Sequence, residues 1–156
     1  MQRIQLRPST LEDDAISAEH LIKIARELGC PEDAIDSNFL RNTSDWLTHA
    51  RQYDRYQGFI AEVDHQIVGS IGCQLFQKGY PQVVKCSVLQ YGYIWGLYIE
   101  PAYRRQGIAT QLMQCAIDYL TSLHCTQILL HASPTGQLVY ERLGFIASNE
   151  MSLKVI

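Results

Sequence analysis

The sequence predicts a mixed α/β fold in the element order β-α-α-β-β-β-α-β-α-β, and three observations carry that prediction. Ile108, Leu112, Cys115 or Ala116, Tyr119 and Leu123 recur at helical spacing, after an aromatic and β-branched run that Pro101 stops. Leu21, Ile24, Ala25 and Leu28 form an earlier helical stripe. Two β-rich runs, 56–63 and 67–76, flank the short turn Asp64-His65-Gln66 and read as a hairpin.

The other elements follow in order. Residues 2–7 alternate polar and apolar, as a short strand does. Thr10-Leu-Glu-Asp13 is a capping-box pattern with acid in the first helical turn, and Gly29 closes that helix. Pro31-Glu-Asp33 is expected to open a second helix. Its apolar face is Phe39, Leu40, Trp46, Leu47 and Ala50, with a break expected at 42–44. Lys78-Gly-Tyr-Pro81 is a turn. Residues 83–99 read as one long strand, in which Gly92 and Gly96 mark a bulge or a close backbone approach. A short buried strand is expected at 127–131. Ser133 then caps a helix with Pro134 at its first position, apolar Leu138, Val139 and Leu143, and Gly144 at its end. A final strand is expected at 145–155, bent near Ser148-Asn149.

Composition narrows the function classes. A chain of 156 residues suits a single domain with one core. No apolar run reaches membrane-spanning length and the first residues hold no signal-peptide core, so a cytoplasmic protein without a membrane partner is expected. The net charge of −3 argues against nucleic acid as a partner. Cys30, Cys73, Cys86, Cys115 and Cys125 are odd in number and form no CxxC pair, which argues against a disulfide framework or zinc site. His20, His49, His65, His124 and His131 show no ligand spacing either, so no metal is expected.

Chemistry concentrates where the central strand hands over to its helix, at Arg104-Arg105-Gln106-Gly107-Ile108-Ala109. A helix start leaves its first backbone N–H groups without partners, and the dipole behind them favours a phosphate-type anion. Gly107 lets the backbone approach such an anion closely. Arg104 and Arg105 add positive charge at an end where the dipole alone disfavours it. A Rossmann site would need Gly-x-Gly-x-x-Gly and a later acid, and only Gly107 is present.

Arg104-x-x-Gly107-x-Ala109 resembles the Gln/Arg-x-x-Gly-x-Gly/Ala signature of the GNAT N-acetyltransferase superfamily. The segment from Leu130 to Phe145 resembles the second acetyl-CoA motif of that family, which ends in Tyr-Glu-x-Leu-Gly-Phe. The resemblance implies an acetyl-CoA cosubstrate and transfer of its acetyl group to a primary amine of a small molecule or peptide. It implies a pantetheine arm lying as an added strand against Leu97, Tyr98 and Ile99. The pyrophosphate would sit on the amides of Arg105, Gln106, Gly107, Ile108, Ala109 and Thr110, with Arg104 at the first motif position. Ser133 stands where many relatives carry asparagine. Tyr140 falls at the position of the general acid that protonates the departing thiolate. Relatives are often homodimers. The competing reading is a module that binds CoA without turnover, and the presence of Tyr140 favours the enzyme.

An ammonium acceptor must first lose a proton, and Glu100, Glu62 or ordered water are the candidate bases. Glu100 also reads as loop surface. Tyr91, Tyr93, Trp95 and Tyr98 either line the acceptor pocket or pack in the core. His131 is either catalytic or a partly buried strand-end histidine. The acids at 12–14 and 32–36 serve helix dipoles or, alternatively, line a pocket for a cationic acceptor.

Overall fold

A computed structural model describes residues 3–155. Strand β1 (Ile4–Pro8) leads through a single 3-10 turn into α1 (Asp14–Glu27) and α2 (Phe39–Tyr53). Strands β2 (Gln57–Val63), β3 (Gln66–Phe76) and β4 (Tyr91–Ile99) follow, then α3 (Ile108–Ser122), β5 (Gln127–Leu129) and the short α4 (Gln137–Arg142). The predicted start of the first strand at Gln2 lies outside the described residues.

The five strands form one sheet in sequence order. Neighbours are antiparallel except β4 and β5, which are parallel. Asp64 and His65 turn the β2–β3 hairpin with φ of 49° and 65°, the left-handed pair that a tight two-residue reversal requires. Helices α1 and α2 cover one face and α3 the other. Alternation along β4 follows from this. Tyr93 and Trp95 point to the first face, while a Cβ on Gly92 would lie 2.7 Å from Leu120 of α3. Ile108, Leu112, Met113, Ala116 and Leu120 of α3 join Val68, Cys73 and Ile94 of the sheet in the main core. A smaller cluster joins Leu47 and Ala50 to Tyr56 and Trp95.

The structure corrects several expectations. The long strand begins at Tyr91 rather than at residue 83. Gln82 Nε2 donates to the carbonyls of Val84 and Leu89, both at 2.7 Å, and ties the stretch before it into a loop. Pro31 opens only a 3-10 turn (Glu32–Ala34), because Ile35 after it is extended. Helix α2 has no break at 42–44: Thr43 faces inward while Asn42 and Ser44 point to solvent. Leu28 is exposed, and α1 buries Asp14, Ala18 and His20 instead. Residues 145–155 form no strand among the described residues.

Candidate active site at the fork between β4 and β5

Parallel pairing of β4 with β5 runs only from Tyr91↔Gln127 to Tyr93↔Leu129. Beyond that point the two strands part, and among the described residues, 94–99 of β4 have no partner strand on this side. Such an edge presents alternate N–H and C=O groups to any extended amide chain. A bulge lies within it: between the pairs Ser70–Tyr98 and Gly72–Trp95, the single residue Ile71 on β3 faces the two residues Gly96 and Leu97 on β4. Gly96 takes φ 66° there, as anticipated from its place in the strand.

At the far end of β4, Pro101–Tyr103 make a 3-10 turn and the chain enters α3. Gly107 is the N-cap at φ 80°, and the first helical bond runs from Gln111 N–H to Gly107 O. The amides of the first turn therefore lack acceptors within the helix. A Cβ at Gly107 would meet nothing nearer than 3.9 Å, so the space over this turn is open, as a pyrophosphate requires. Arg104 is committed otherwise than its charge suggested. Its Nε donates to Ile99 O at 2.8 Å and its terminal nitrogen to Glu27 at 2.6 Å, so it clamps the turn to β4 and α1. Arg105 is exposed at φ 61°, and with Gln106 it leaves the turn facing solvent.

Beyond β5, Ser133 Oγ accepts from the Gly136 N–H at 3.2 Å and closes a turn at 134–136. Helix α4 starts only at Gln137 with Gly136 as its N-cap, so Ser133 does not cap the helix and Pro134 is not its first residue, contrary to expectation. Tyr140 of α4 is half-buried and packs edge-on against Phe145 at 6.2 Å. A Cβ on Gly136 would stand 3.1 Å from its hydroxyl, so glycine there leaves room for the phenol. Burial raises the Tyr140 pKa, which keeps the phenol protonated at neutral pH.

Tyr93 sits at the fork itself. Its hydroxyl hydrogen-bonds His131 Nδ1, and His131 Nε2 lies 3.2 Å from Glu150 Oε1. His131 is exposed, not the partly buried strand-end residue that its apolar run suggested. Burial raises the Tyr93 pKa, with the Glu150 charge adding to it, so the phenol keeps its proton and is able to donate it to His131 Nδ1. No local motif signals this chain of three, because its members lie 38 and 19 positions apart. The ring of Tyr93 also lines a cavity of about 490 Å³ between α1, α2 and the sheet, together with Leu21, Phe39, Trp46, Phe76 and Trp95. Trp95 holds its place by donating to Gln74 at 3.1 Å and by an edge contact with Trp46 at 5.2 Å. Of the four aromatic candidates, Tyr93 and Trp95 line this cavity. Tyr98 is buried beside His20, and Tyr91 lies under Lys78.

Glu100 belongs to a different environment. Its Oε1 accepts from Lys23 at 2.5 Å and lies 3.4 Å from His20 Nε2. His20 is fully buried, its Nδ1 is 2.7 Å from Ser70 Oγ, and desolvation lowers its pKa. Glu62 is held by Arg7 on the outer strands. The helix-start acids are used structurally: Asp13 by Arg7, Asp14 by Arg51, Glu32 by Arg26, and Asp36 by the Asn38 N–H. They do not converge on a pocket for a cation. No group of His, Cys, Asp and Glu among the described residues has the arrangement of a metal site, and no helix among them is long and apolar enough to cross a membrane.

A model of the acetyltransferase (GNAT) family matches residues 32–145. The chain is similar to N-alpha-acetyltransferase 30 of Xenopus laevis, 30% identical over 96 residues, which is 60% of this chain and 33% of that protein. It is similar to the Saccharomyces cerevisiae protein of the same name at 38% over 63 residues, 38% of this chain and 36% of that one. The matched stretch thus spans about a third of the length of these relatives. Among solved structures, a GCN5-related N-acetyltransferase from Ralstonia eutropha superposes with a TM-score of 0.78 at 26% identity, covering 98% of this chain and 99% of that one. The fold is also that of a predicted acetyltransferase from Clostridium acetobutylicum crystallised with acetyl-CoA, with a TM-score of 0.82, 22% identity and coverage of 98% and 97%.

Proposed function

The chain belongs to the acetyltransferase (GNAT) family and is an acetyl-CoA-dependent acyltransferase, and we propose that its acceptor is the α-amine of a peptide whose first side chain is apolar. The observation that carries the proposal is the aromatic cavity that shares Tyr93 with the His131 hydrogen-bond chain. An apolar side chain seated against Trp46, Phe76 and Trp95 brings the amine attached to it beside the Tyr93 hydroxyl. The curated relatives carry the name N-alpha-acetyltransferase, which supports a peptide amine over a small molecule.

Acetyl-CoA supplies the acetyl group, and its sulfur leaves as a thiolate. The open edge at Leu97, Tyr98 and Ile99 would receive the pantetheine amides. The amides from Arg105 to Thr110, with Gln106, Gly107, Ile108 and Ala109 between them, would bind the pyrophosphate. Tyr93 takes the ammonium proton of the acceptor while passing its own to His131 Nδ1, and Glu150 steadies the imidazolium through Nε2. Tyr140 gives its proton to the departing sulfur. A phenol suits this step because its reference pKa, about 10, lies near that of a thiol. Glu100, tied to Lys23 beside buried His20, positions the end of β4.

The test is release of free thiol across a peptide panel, with parent and Tyr140→Phe. Peptides beginning with apolar residues should be turned over and those beginning with Asp or Glu should not. Tyr140→Phe should lower kcat about a hundredfold and leave the acetyl-CoA affinity in place. Binding of acetyl-CoA without thiol release for any amine would instead identify a non-catalytic CoA module.

A further inference from the structure

The aromatic cavity is not apolar throughout. Two of its walls carry polar side chains that are nine-tenths buried: Gln74 of β3 is 9% exposed and Thr43 of α2 is 8% exposed. Gln74 Oε1 accepts from Trp95 Nε1 at 3.1 Å. An indole N–H can only donate, so the amide oxygen must face Trp95 and the amide nitrogen must face away from it. Among the described residues nothing accepts from that nitrogen. Thr43 is unpaired as well. Thr48 of the same helix gives its hydroxyl to the Ser44 carbonyl at 3.0 Å, whereas the Thr43 hydroxyl bonds no group among the described residues. Neither atom is sealed off. Among the described residues, the side-chain atoms that are both fully buried and unpartnered are Ser9 Oγ and His20 Nε2. The exposure that Gln74 and Thr43 keep opens on the cavity that they line.

We propose that Gln74 and Thr43 determine specificity, and that the acceptor bound best places a carboxamide of the glutamine type between them. This rests on the reading of the cavity as the seat of the acceptor's first side chain, and it ranks the neutral side chains that the cavity admits. In water both groups bond solvent, so a side chain that fills the cavity must replace those bonds or lose them. A wholly apolar side chain leaves a donor on the sheet and a hydroxyl on the helix unpaired, which lowers affinity on the order of tenfold. A carboxylate would enter without a cation, because every residue that lines the cavity is neutral. An ammonium would meet the Gln74 N–H groups and find no carboxylate. A carboxamide suits both walls: its carbonyl accepts from Gln74 Nε2, its N–H donates to Thr43 Oγ1, and its apolar stem lies against Trp46 and Trp95.

Trp46 and Trp95 are the two tryptophans of the chain and both line the cavity, so indole fluorescence reports its occupation. The full chain is titrated with tryptophan-free peptides that differ only in a first residue of Gln, Leu, Glu or Lys. The Gln peptide should bind about tenfold more tightly than the Leu peptide, and the Glu peptide more weakly than either. Thr43→Val keeps the shape, spares the bond between Trp95 and Gln74, and should bring the affinities for Gln and Leu peptides together. Gln74→Glu keeps an acceptor for Trp95 and replaces the inner donor by an anion, so the Lys peptide should gain about tenfold over its binding to the parent. A parent that binds the Leu peptide as tightly as the Gln peptide overturns the assignment and leaves the cavity as the acceptor site. So does a preference for Gln that survives both variants. Thiol release without any change in indole fluorescence overturns the acceptor reading together with it, since the acceptor then lies elsewhere.

Discussion

The two halves of the sheet are finished differently. Strands β1 to β3 form an antiparallel meander whose charges are closed on each other. Arg7 donates to both Asp13 and Glu62, and Asp13 takes the Thr10 N–H at 2.8 Å. Strands β4 and β5 pair over three residues and then part, and the groups along the gap meet solvent or one another. Folding stability is invested in the first half. The second half leaves residues 94–99 of β4 without a parallel neighbour among the described residues, where the pantetheine amides are proposed to lie. Incompleteness at one edge is tolerable because the other edge is locked.

Breaking the working half at its anion turn should have the largest effect. At a hundredfold excess over Kd, acetyl-CoA should stabilise the parent by about 2.7 kcal/mol, several degrees in Tm. Gly107→Glu should remove that shift entirely, since it adds a carboxylate over the amides of α3 and a Cβ at φ 80°. A folded variant with an undiminished shift would move the site elsewhere. Next comes the fork. Tyr93→Phe keeps the ring against Phe76 and removes the hydroxyl from His131. Turnover should fall by about tenfold to a hundredfold with unchanged acetyl-CoA affinity, and equal kcat values would remove Tyr93 from the proton path.

The smallest effect is the sharpest contrast, because it falls on the locked half and spares chemistry. Asp13→Asn should cost about 2 kcal/mol of stability and leave the KM values unchanged. The Arg7 bonds lower the Asp13 carboxyl from 3.8 to about 2. A depressed carboxyl contributes its stability fully above about 3.8 and loses it as pH falls towards 2. Urea titrations should show that acid loss in the parent and a flatter slope in the variant.

What could be read from sequence follows the same division between local and distant. The capping box at Thr10, the hairpin turn at Asp64-His65, the Gly96 bulge and the Gly107 turn are each specified by a few neighbouring residues. Pairings of distant residues left no such trace. The commitment of Arg104 to Glu27 spans 77 positions, and the fork assembles Tyr93 of β4 with His131 and Glu150 from two separate loop segments. The expected strand at 145–155 has the correct alternation for a strand but pairs with no strand among the described residues, and alternation alone cannot specify a partner. The start of β4 was placed too early because Val83, Val84 and Val88 favour strands in isolation, whereas Gln82 bonds hold that stretch as a loop.

Gly96 carries a consequence beyond the gap that it opens. A Cβ at that position would come within 3.1 Å of Leu21, whose side chain also walls the aromatic cavity. One missing methyl group thus acts as a gauge block. It sets how far β4 stands off its neighbour and, in the same stroke, how closely α1 lies on the sheet. The proposed acetyl-CoA edge and the proposed acceptor cavity therefore share a single dimension. Evolution or design can enlarge the acceptor chamber by trimming Leu21 and leave the donor side in register, but widening at residue 96 would move both.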